Sequence, residues 1–406
     1  MKALVLCGGL PQAALIKELK NRGIETVLAD MNPDVVARKY ADAFFAVSTL
    51  DVKGVRELAR EQKVDMVLTA CADQVLLVQA QVSEELGLPC YIDLKKARDV
   101  SSKERMKDIF AENAIPSSRY VIMNEFDVNK TKELQFPLIV KPVDSYSSRG
   151  VRKVFREEEL REAFTNAINI SRSGNVIVEE FVDGEELTVD AYVENGEAHI
   201  LCVSNIDKIP GNDRFVICRT KYPAQISSEM KHEVEEVINQ IARAFHLKNS
   251  PMLVQMITNG EHISVVEFCA RTGGGDKFQL IKQVSGFDVI KAIVDLTLGE
   301  KPHVEPFAIQ EYIINEFLYV KRGKVDKFVG FSEMKDRGVI DQYYQLKKEG
   351  TECGEIFSSG DRVAYISIRG KTLEEVKQRD KEANAHIKVL DPQGRDILCH
   401  ELIAAF

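Results

Sequence analysis

The chain has 406 residues, with 54 Lys+Arg against 63 Asp+Glu and a formal net charge of −9. At about 150 residues per domain that length suggests two or three domains, enough to bury several cores without a disulfide or metal staple. The acidic balance offers no basic field for nucleic acid or an acidic membrane, and the sequence has no run of about 18 apolar residues to span a bilayer, so neither partner is expected.

The apolar start Ala3–Leu6 is too short for a signal peptide and lacks a cleavage-site pattern. Cysteines at 7, 71, 90, 202, 218, 269, 353 and 399 form no C-x-x-C pair and lie mostly in apolar runs, which points to reduced thiols and a cytoplasmic protein. The seven His residues form no H-x-x-x-H pair, which argues against a transition-metal enzyme.

The first hundred or so residues alternate strand and helix. Ala3–Leu6 reads as a short buried strand. Gln12–Arg22 carries Leu15, Ile16 and Leu19 at helical spacing and stops at Gly23. Thr26–Ala29 and Asp65–Thr69 read as further strands, and about Asp73–Leu86 as a long helix. This rhythm implies a parallel sheet with ligand loops at its carboxyl edge. Gly8-Gly9 follows the first strand without the full G-x-G-x-x-G, so a tight turn, or a half-site for a substrate other than a nucleotide, fits it better.

From about Ser101 to Gly299 the pattern becomes α+β. Ser102-Lys103 opens a helix over Glu104–Asn113. Strands are expected at Leu138–Val140, Val176–Glu179, Leu187–Tyr192, Met252–Thr258 and His262–Phe268, with helices at Glu157–Ala167 and Glu229–Phe245. Lys301–Pro306 reads as a linker. Arg362–Ile368 (strand), Thr372–His386 (helix) and Ile387–Leu390 (strand) read as a β-α-β piece closing a small third domain.

Three segments carry chemistry. In Phe136–Val151 a buried strand ends in Lys141, a loop of small residues follows, and Gly150 precedes another short strand. Such a loop can aim backbone N–H groups at phosphate oxygens while the lysine supplies a point charge; a solvated lysine beside a polar hairpin is the blander alternative. In Val176–Asp190 an apolar strand runs through Glu179-Glu180-Phe181-Val182 into a second strand. The short link can pair with a purine edge through its backbone, and a nearby carboxylate can take ribose hydroxyls; solvated acids are the alternative. In Val265–Gly275, side-chain alternation puts Glu267, Cys269 and Arg271 on one strand face, before three glycines. A carboxylate suits Mg²⁺, and an arginine suits charge developing on a transferred phosphoryl group.

Together these segments resemble the ATP-grasp superfamily, in its carboxylate–amine ligase branch, which includes biotin carboxylase, purine-pathway ligases and amino-acid ligases. The resemblance covers about residues 100–300. It implies an α/β and α+β fold: a Rossmann-like pre-ATP-grasp domain over 1–100, a two-lobed ATP-grasp core over 101–300 with a flexible small lobe at about 115–185, and a C-terminal α+β piece over 301–406 that completes the core. It implies that Lys103 and Lys141 hold ATP phosphates beneath a loop of Ser145, Ser147, Ser148 and Gly150, with a lid around Tyr146–Arg149. Glu179, with the backbone of Glu180 and Val182, would read adenine, and Glu186 the ribose. Glu267 and Gln255 would hold Mg²⁺ (or Mn²⁺), and Arg271 would act in catalysis with Glu267. Two positions depart from the pattern. Gln255 is neutral where an acid is usual, and Cys269 stands where Asn is usual.

The turn before Glu267 bears on Gln255. A two-residue turn at Asn259-Gly260 would set Gln255 against Ser264, on the face opposite to Glu267. A three-residue connection would bring both to one face, and is the expectation, with Gly260 left-handed or beside a bulge. Lys208 and Arg219, in the polar stretch Asn205–Pro223, and Gly273 and Gly274 are the substrate candidates. The expected activity is ATP-dependent joining of a small carboxylate to a small amine through an acyl phosphate. A purine-pathway ligase acting on phosphoribosylamine and an ATP-binding protein without turnover are the alternatives, and the pattern leaves a homodimer open.

Overall fold

A computed structural model describes residues 1–144, 149–211, 215–307 and 309–403. Ser145, Ser147 and Ser148 of the expected phosphate loop, and most of the expected lid with them, lie outside the described residues.

Near the amino terminus four parallel strands lie in the order Ala43–Phe45, Glu25–Ala29, Lys2–Leu6, Met66–Leu68. Lys2–Leu6 and Glu25–Ala29 are almost wholly buried, as continuous apolar strands in a sheet covered on both faces should be. The helices Leu10–Asn21, Val52–Glu61 and Asp73–Leu86 flank this sheet.

The centre of the molecule is an eight-stranded antiparallel sheet. Its order is Ile263–Cys269, Ser250–Thr258, Glu185–Glu194, Glu197–Lys208, Ile217–Tyr222, Tyr312–Leu318, Ala364–Gly370, Gln342–Gln345. One of its faces packs on the helices Lys103–Glu112 and Ser228–Ala244, where Phe268 meets Phe245 at 4.4 Å between ring centroids. A smaller antiparallel sheet of Tyr120–Met123, Val176–Glu180, Leu138–Pro142 and Arg152–Val154 forms a separate lobe, backed by the helix Glu157–Ile170. No helix among the described residues is long and apolar enough to cross a membrane.

Two expectations need correction. Arg362–Leu390 does not form one β-α-β unit. The strand Ala364–Gly370 joins the central sheet beside Tyr312–Leu318, and Lys388–Leu390 pairs antiparallel with Lys327–Val329. Burial explains this: Ile366 and Ile368 pack with Ile314 and Leu318 and the helix residue Val376 in one core, which the local pattern could not specify. The polar stretch Asn205–Pro223 is mostly sheet, with Glu197–Lys208 paired to Ile217–Tyr222.

Candidate active site

The small lobe and the central sheet face each other across a cleft lined by Lys103, Lys141, Glu179, Glu180, Val182, Glu186, Lys208, Gln255 and Glu267, among others; it holds about 970 Å³ of empty space, its open mouth included. Residues up to 164 positions apart in the chain thus converge from three sources: the helix Lys103–Glu112, the small-lobe strands and the far strands of the central sheet.

Gln255 and Glu267 sit directly opposite each other on neighbouring antiparallel strands and so share a face. The expected face is right, but the route to it differs. The connection Asn259–His262 has four residues, not three, with the Asn259 side chain accepting from the Glu261 and His262 N–H groups and Gly260 at φ 90°. That turn alone sets Ile257 against Ser264 and Met256 against Val265, which would leave Gln255 facing Val266. A β-bulge between Gln255 and Met256 shifts the register by one residue and delivers Gln255 to Glu267.

Charges in the cleft are paired. Lys103 lies 3.4 Å from Glu267, and Lys208 pairs with Glu186. Gln255 Nε2 donates to Glu186 at 3.4 Å, leaving its amide oxygen for another ligand. Burial works against the Lys103 ammonium, yet Glu267, Asp73 and Cys269 outweigh it and raise its pKa, so Lys103 is charged at neutral pH.

Glu179 does not present an open carboxylate. It is 6% exposed and is clamped by Lys141, by Lys107 at 3.1 Å and by the Ser118 hydroxyl, which donates at 3.0 Å. Burial alone would raise its pKa, but Lys141 and Lys107 hold it down at about 2. A carboxyl with a depressed folded pKa stabilises the fold above its unfolded value, and the contribution disappears as pH falls through the folded value. The stability advantage of wild type over Glu179→Gln in urea unfolding should therefore be about 3 kcal/mol above pH 5 and shrink between about pH 4.5 and 2. A gap that stays constant across that window would exclude the clamp.

Among the described residues, the link between the lobes leaves the N–H groups of Val182, Asp183 and Gly184 without a hydrogen-bond partner. The Glu180 N–H is committed to the Arg119 carbonyl at 3.0 Å and the Phe181 N–H to the Pro137 carbonyl at 2.9 Å. The Glu180 carboxylate turns away to Arg119 and the Gln135 N–H. Gly150 has φ 78°, and a Cβ there would come within 2.9 Å of Ile170 Cδ1, so both conformation and packing favour glycine at the far end of the loop.

Arg271 lies in an adjoining cavity with about 1230 Å³ of empty space, its open mouth included, which shares Lys103 and Glu267 with the cleft. Its guanidinium grips Asp73 in a bidentate pair, at 2.8 Å and 2.5 Å. Gly274 lines the same cavity, while Gly273 packs against Lys277. Arg219 is placed elsewhere: it is 1% exposed and engaged by Glu316 and Asp207. The sequence reading missed Lys107, Ser118 and Asp73. Lys107 was findable, since it follows Lys103 by one helical turn on the same face. Asp73 was findable in part, as an acid just past the carboxyl end of the strand Met66–Leu68.

The lysine-lined cleft between the small antiparallel lobe and the larger sheet thus carries the Glu267 carboxylate, with Arg271 in the adjoining cavity. Residues 134–279 match the ATP-grasp domain family. The sequence of the chain is 23% identical over 386 residues to the carbamoyl phosphate synthase large chain of Clostridium botulinum, covering 90% of this chain and 35% of that one. The chain thus spans about a third of the length of the curated relatives it matches. Its fold is similar to that of the L-amino acid ligase from Bacillus licheniformis, with a TM-score of 0.81 and 18% identity over 96% of this chain and 98% of that one. It is also similar to the biotin carboxylase domain of Hydrogenobacter thermophilus 2-oxoglutarate carboxylase, solved as a dimer with Mg-ADP, ADP and bicarbonate, with a TM-score of 0.77 and 16% identity over 96% of this chain and 90% of that one.

Proposed function

We propose that the protein is an ATP-dependent ligase of small cytoplasmic molecules, joining a carboxylic acid to an amine and releasing ADP and phosphate. The observation that carries this reading is the convergence of Lys103, Gln255, Glu267 and Arg271 where the cleft meets the second cavity. One side accommodates a nucleotide, and the other has room for the groups that react with it.

ATP enters with its adenine edge on the Val182 N–H and the Glu180 carbonyl, and its phosphates on Lys141 and Lys103. Glu186 faces the ribose. The Lys103–Glu267 pair suits this exchange: it separates into a cation for phosphate and an anion for a divalent metal. Glu267 and the Gln255 amide oxygen, hard oxygen donors on one face, fit Mg²⁺ or Mn²⁺. Bound there, the metal would neutralise charge on the phosphate oxygens. A carboxylate oxygen of the acid attacks the γ-phosphorus, the bond to the β,γ-bridging oxygen breaks, and ADP leaves. The amine nitrogen then attacks the acyl carbon, the bond to the phosphate oxygen breaks, and the amine's proton ends on the departing phosphate. Arg271 steadies the acyl phosphate, and the protein's contribution is mainly positioning and charge compensation.

A pairwise screen of acids and amines, scored by ADP and phosphate release, tests the reading. Tight ATP binding with no release for any pair would make the protein a nucleotide-binding protein instead. The neutral Gln255 makes a separate prediction. In Gln255→Glu a third carboxylate joins Glu186 and Glu267, and a divalent cation relieves their repulsion. The Mg²⁺ concentration for half-maximal activity should fall by about tenfold, one charge–charge contact being worth about 1.4 kcal/mol. An unchanged Mg²⁺ titration would remove position 255 from the metal site.

A further inference from the structure

The second cavity has two unlike ends. At one, Lys103, Glu267 and Arg271 border the nucleotide cleft. Away from them the lining is largely uncharged: Leu50, Val75, Val100 and Met106 with the thiol of Cys7, beside the polar Thr49, Gln74 and Ser101, and Asp144 as a further acid. Val75, Val100 and Met106 are each under 5% exposed, so this wall is a packed surface. Burial pushes the Cys7 thiol up to about 11, so it contributes no charge.

Asp73 lines the same cavity beside Arg271. Its carboxylate is ionised, because the Arg271 guanidinium outweighs the effect of burial. It is also held by two hydrogen bonds to Arg271. A simple carboxylate arriving at Arg271 would place two anions on one guanidinium and weaken the grip on Asp73, in a site where an uncompensated buried charge is costly. A molecule with a carboxylate and an adjacent ammonium avoids this. Its carboxylate faces Arg271 and Lys103, its ammonium faces Asp73, and one internal pair is exchanged for two external ones. The side chain then points to the largely uncharged lining, where the remaining acid, Asp144, is already held by the Arg172 and Ser173 N–H groups.

On the ligase reading of the cleft, on which this inference rests, we propose that the acid activated by this protein is an α-amino acid with a compact uncharged side chain, and that Asp73 selects it by binding its ammonium group. The carboxylate so held lies at the end of the cavity shared with the nucleotide cleft, where the phosphoryl group is delivered.

The full chain with Mg-ATP and hydroxylamine, a small amine that traps acyl phosphates as hydroxamates, provides the test without knowledge of the natural amine. Leucine is compared with 4-methylpentanoate, which lacks only the ammonium, and with aspartate and lysine. Leucine should exceed the other three by about 100-fold or more in kcat/KM for ADP release, since a site built around a polar contact rejects the analogue that lacks it. Asp73→Asn should bring leucine and 4-methylpentanoate to within about tenfold of each other, and Asp73→Glu should restore most of the difference. Equal use of leucine and 4-methylpentanoate by wild type overturns the inference and leaves the ligase reading standing. So does a preference for aspartate or lysine, or a leucine preference that survives Asp73→Asn. If Asp73→Asn does not fold, the wild-type and Asp73→Glu ratios decide. Absence of ADP release with every acid overturns both readings.

Discussion

Glu267→Gln is expected to lower kcat by about 1,000-fold, the scale on which removal of a preorganised charge at a reacting centre acts, while leaving the fold intact. The side chain is 32% exposed and its ion pair to Lys103 spans 3.4 Å. Partly exposed pairs of this kind contribute about 1 kcal/mol or less to stability, so the melting temperature should barely move. The catalytic loss has a different origin. Glu267 is the one carboxylate on the strand pair where Gln255 supplies only a neutral oxygen. With glutamine at both positions that strand pair has no anion to hold a divalent cation against the phosphates, and the neighbouring Glu186 is engaged by Lys208. Steady-state rates and thermal unfolding of the same sample check both halves. Turnover within tenfold of wild type would defeat the site assignment.

Lys141→Met should raise the KM for ATP by about 10- to 100-fold, the value of one charge-assisted contact to phosphate. Unlike Glu267→Gln, it should also destabilise the protein. Lys141 is 7% exposed and pairs with the buried Glu179, which would be left with Lys107 and Ser118 alone. Removing one member of a buried pair costs about 3–5 kcal/mol when nothing else compensates; Lys107 should hold the loss below that range. The triple variant Lys107→Met/Lys141→Met/Glu179→Gln separates the two effects. It leaves no member of the clamp as an unpaired buried charge and should recover stability, while ATP affinity stays low. Recovery of ATP affinity together with stability would mean that Lys141 acts only as a structural partner of Glu179.

Lys107 shows why the clamp went unseen in the sequence. A lysine one turn after Lys103 suggests only a shared helix face. That it is 3% exposed and faces a strand some 70 residues on follows from docking of the small lobe against the helix Lys103–Glu112. The assignment of adenine contacts to the backbone around Glu180 and Val182 rested on the strand–link–strand pattern. The structure adds which of those donors remains open, because pairing with Arg119 and Pro137 consumes the others. Arg219 had looked like an anion-binding candidate in a polar stretch. Folding of that stretch into the central sheet instead directs it at Glu316 and buries both.

By itself the sequence determined the alternation of strands and helices, the strand ending in Lys141, the link at Glu180–Val182, and the common face of Glu267, Cys269 and Arg271. These follow from periods of 2 and 3.6 residues and from turn chemistry, which act over a few neighbours. The tertiary structure alone decided that Gln255 meets Glu267, that Asp73 meets Arg271 across 198 residues, and that the strands Tyr312–Leu318 and Ala364–Gly370 complete the central sheet. The physical reason is register and burial. A one-residue bulge reverses which face a side chain occupies, and a buried charge settles wherever a distant partner compensates it. Neither is written in the local pattern of residues.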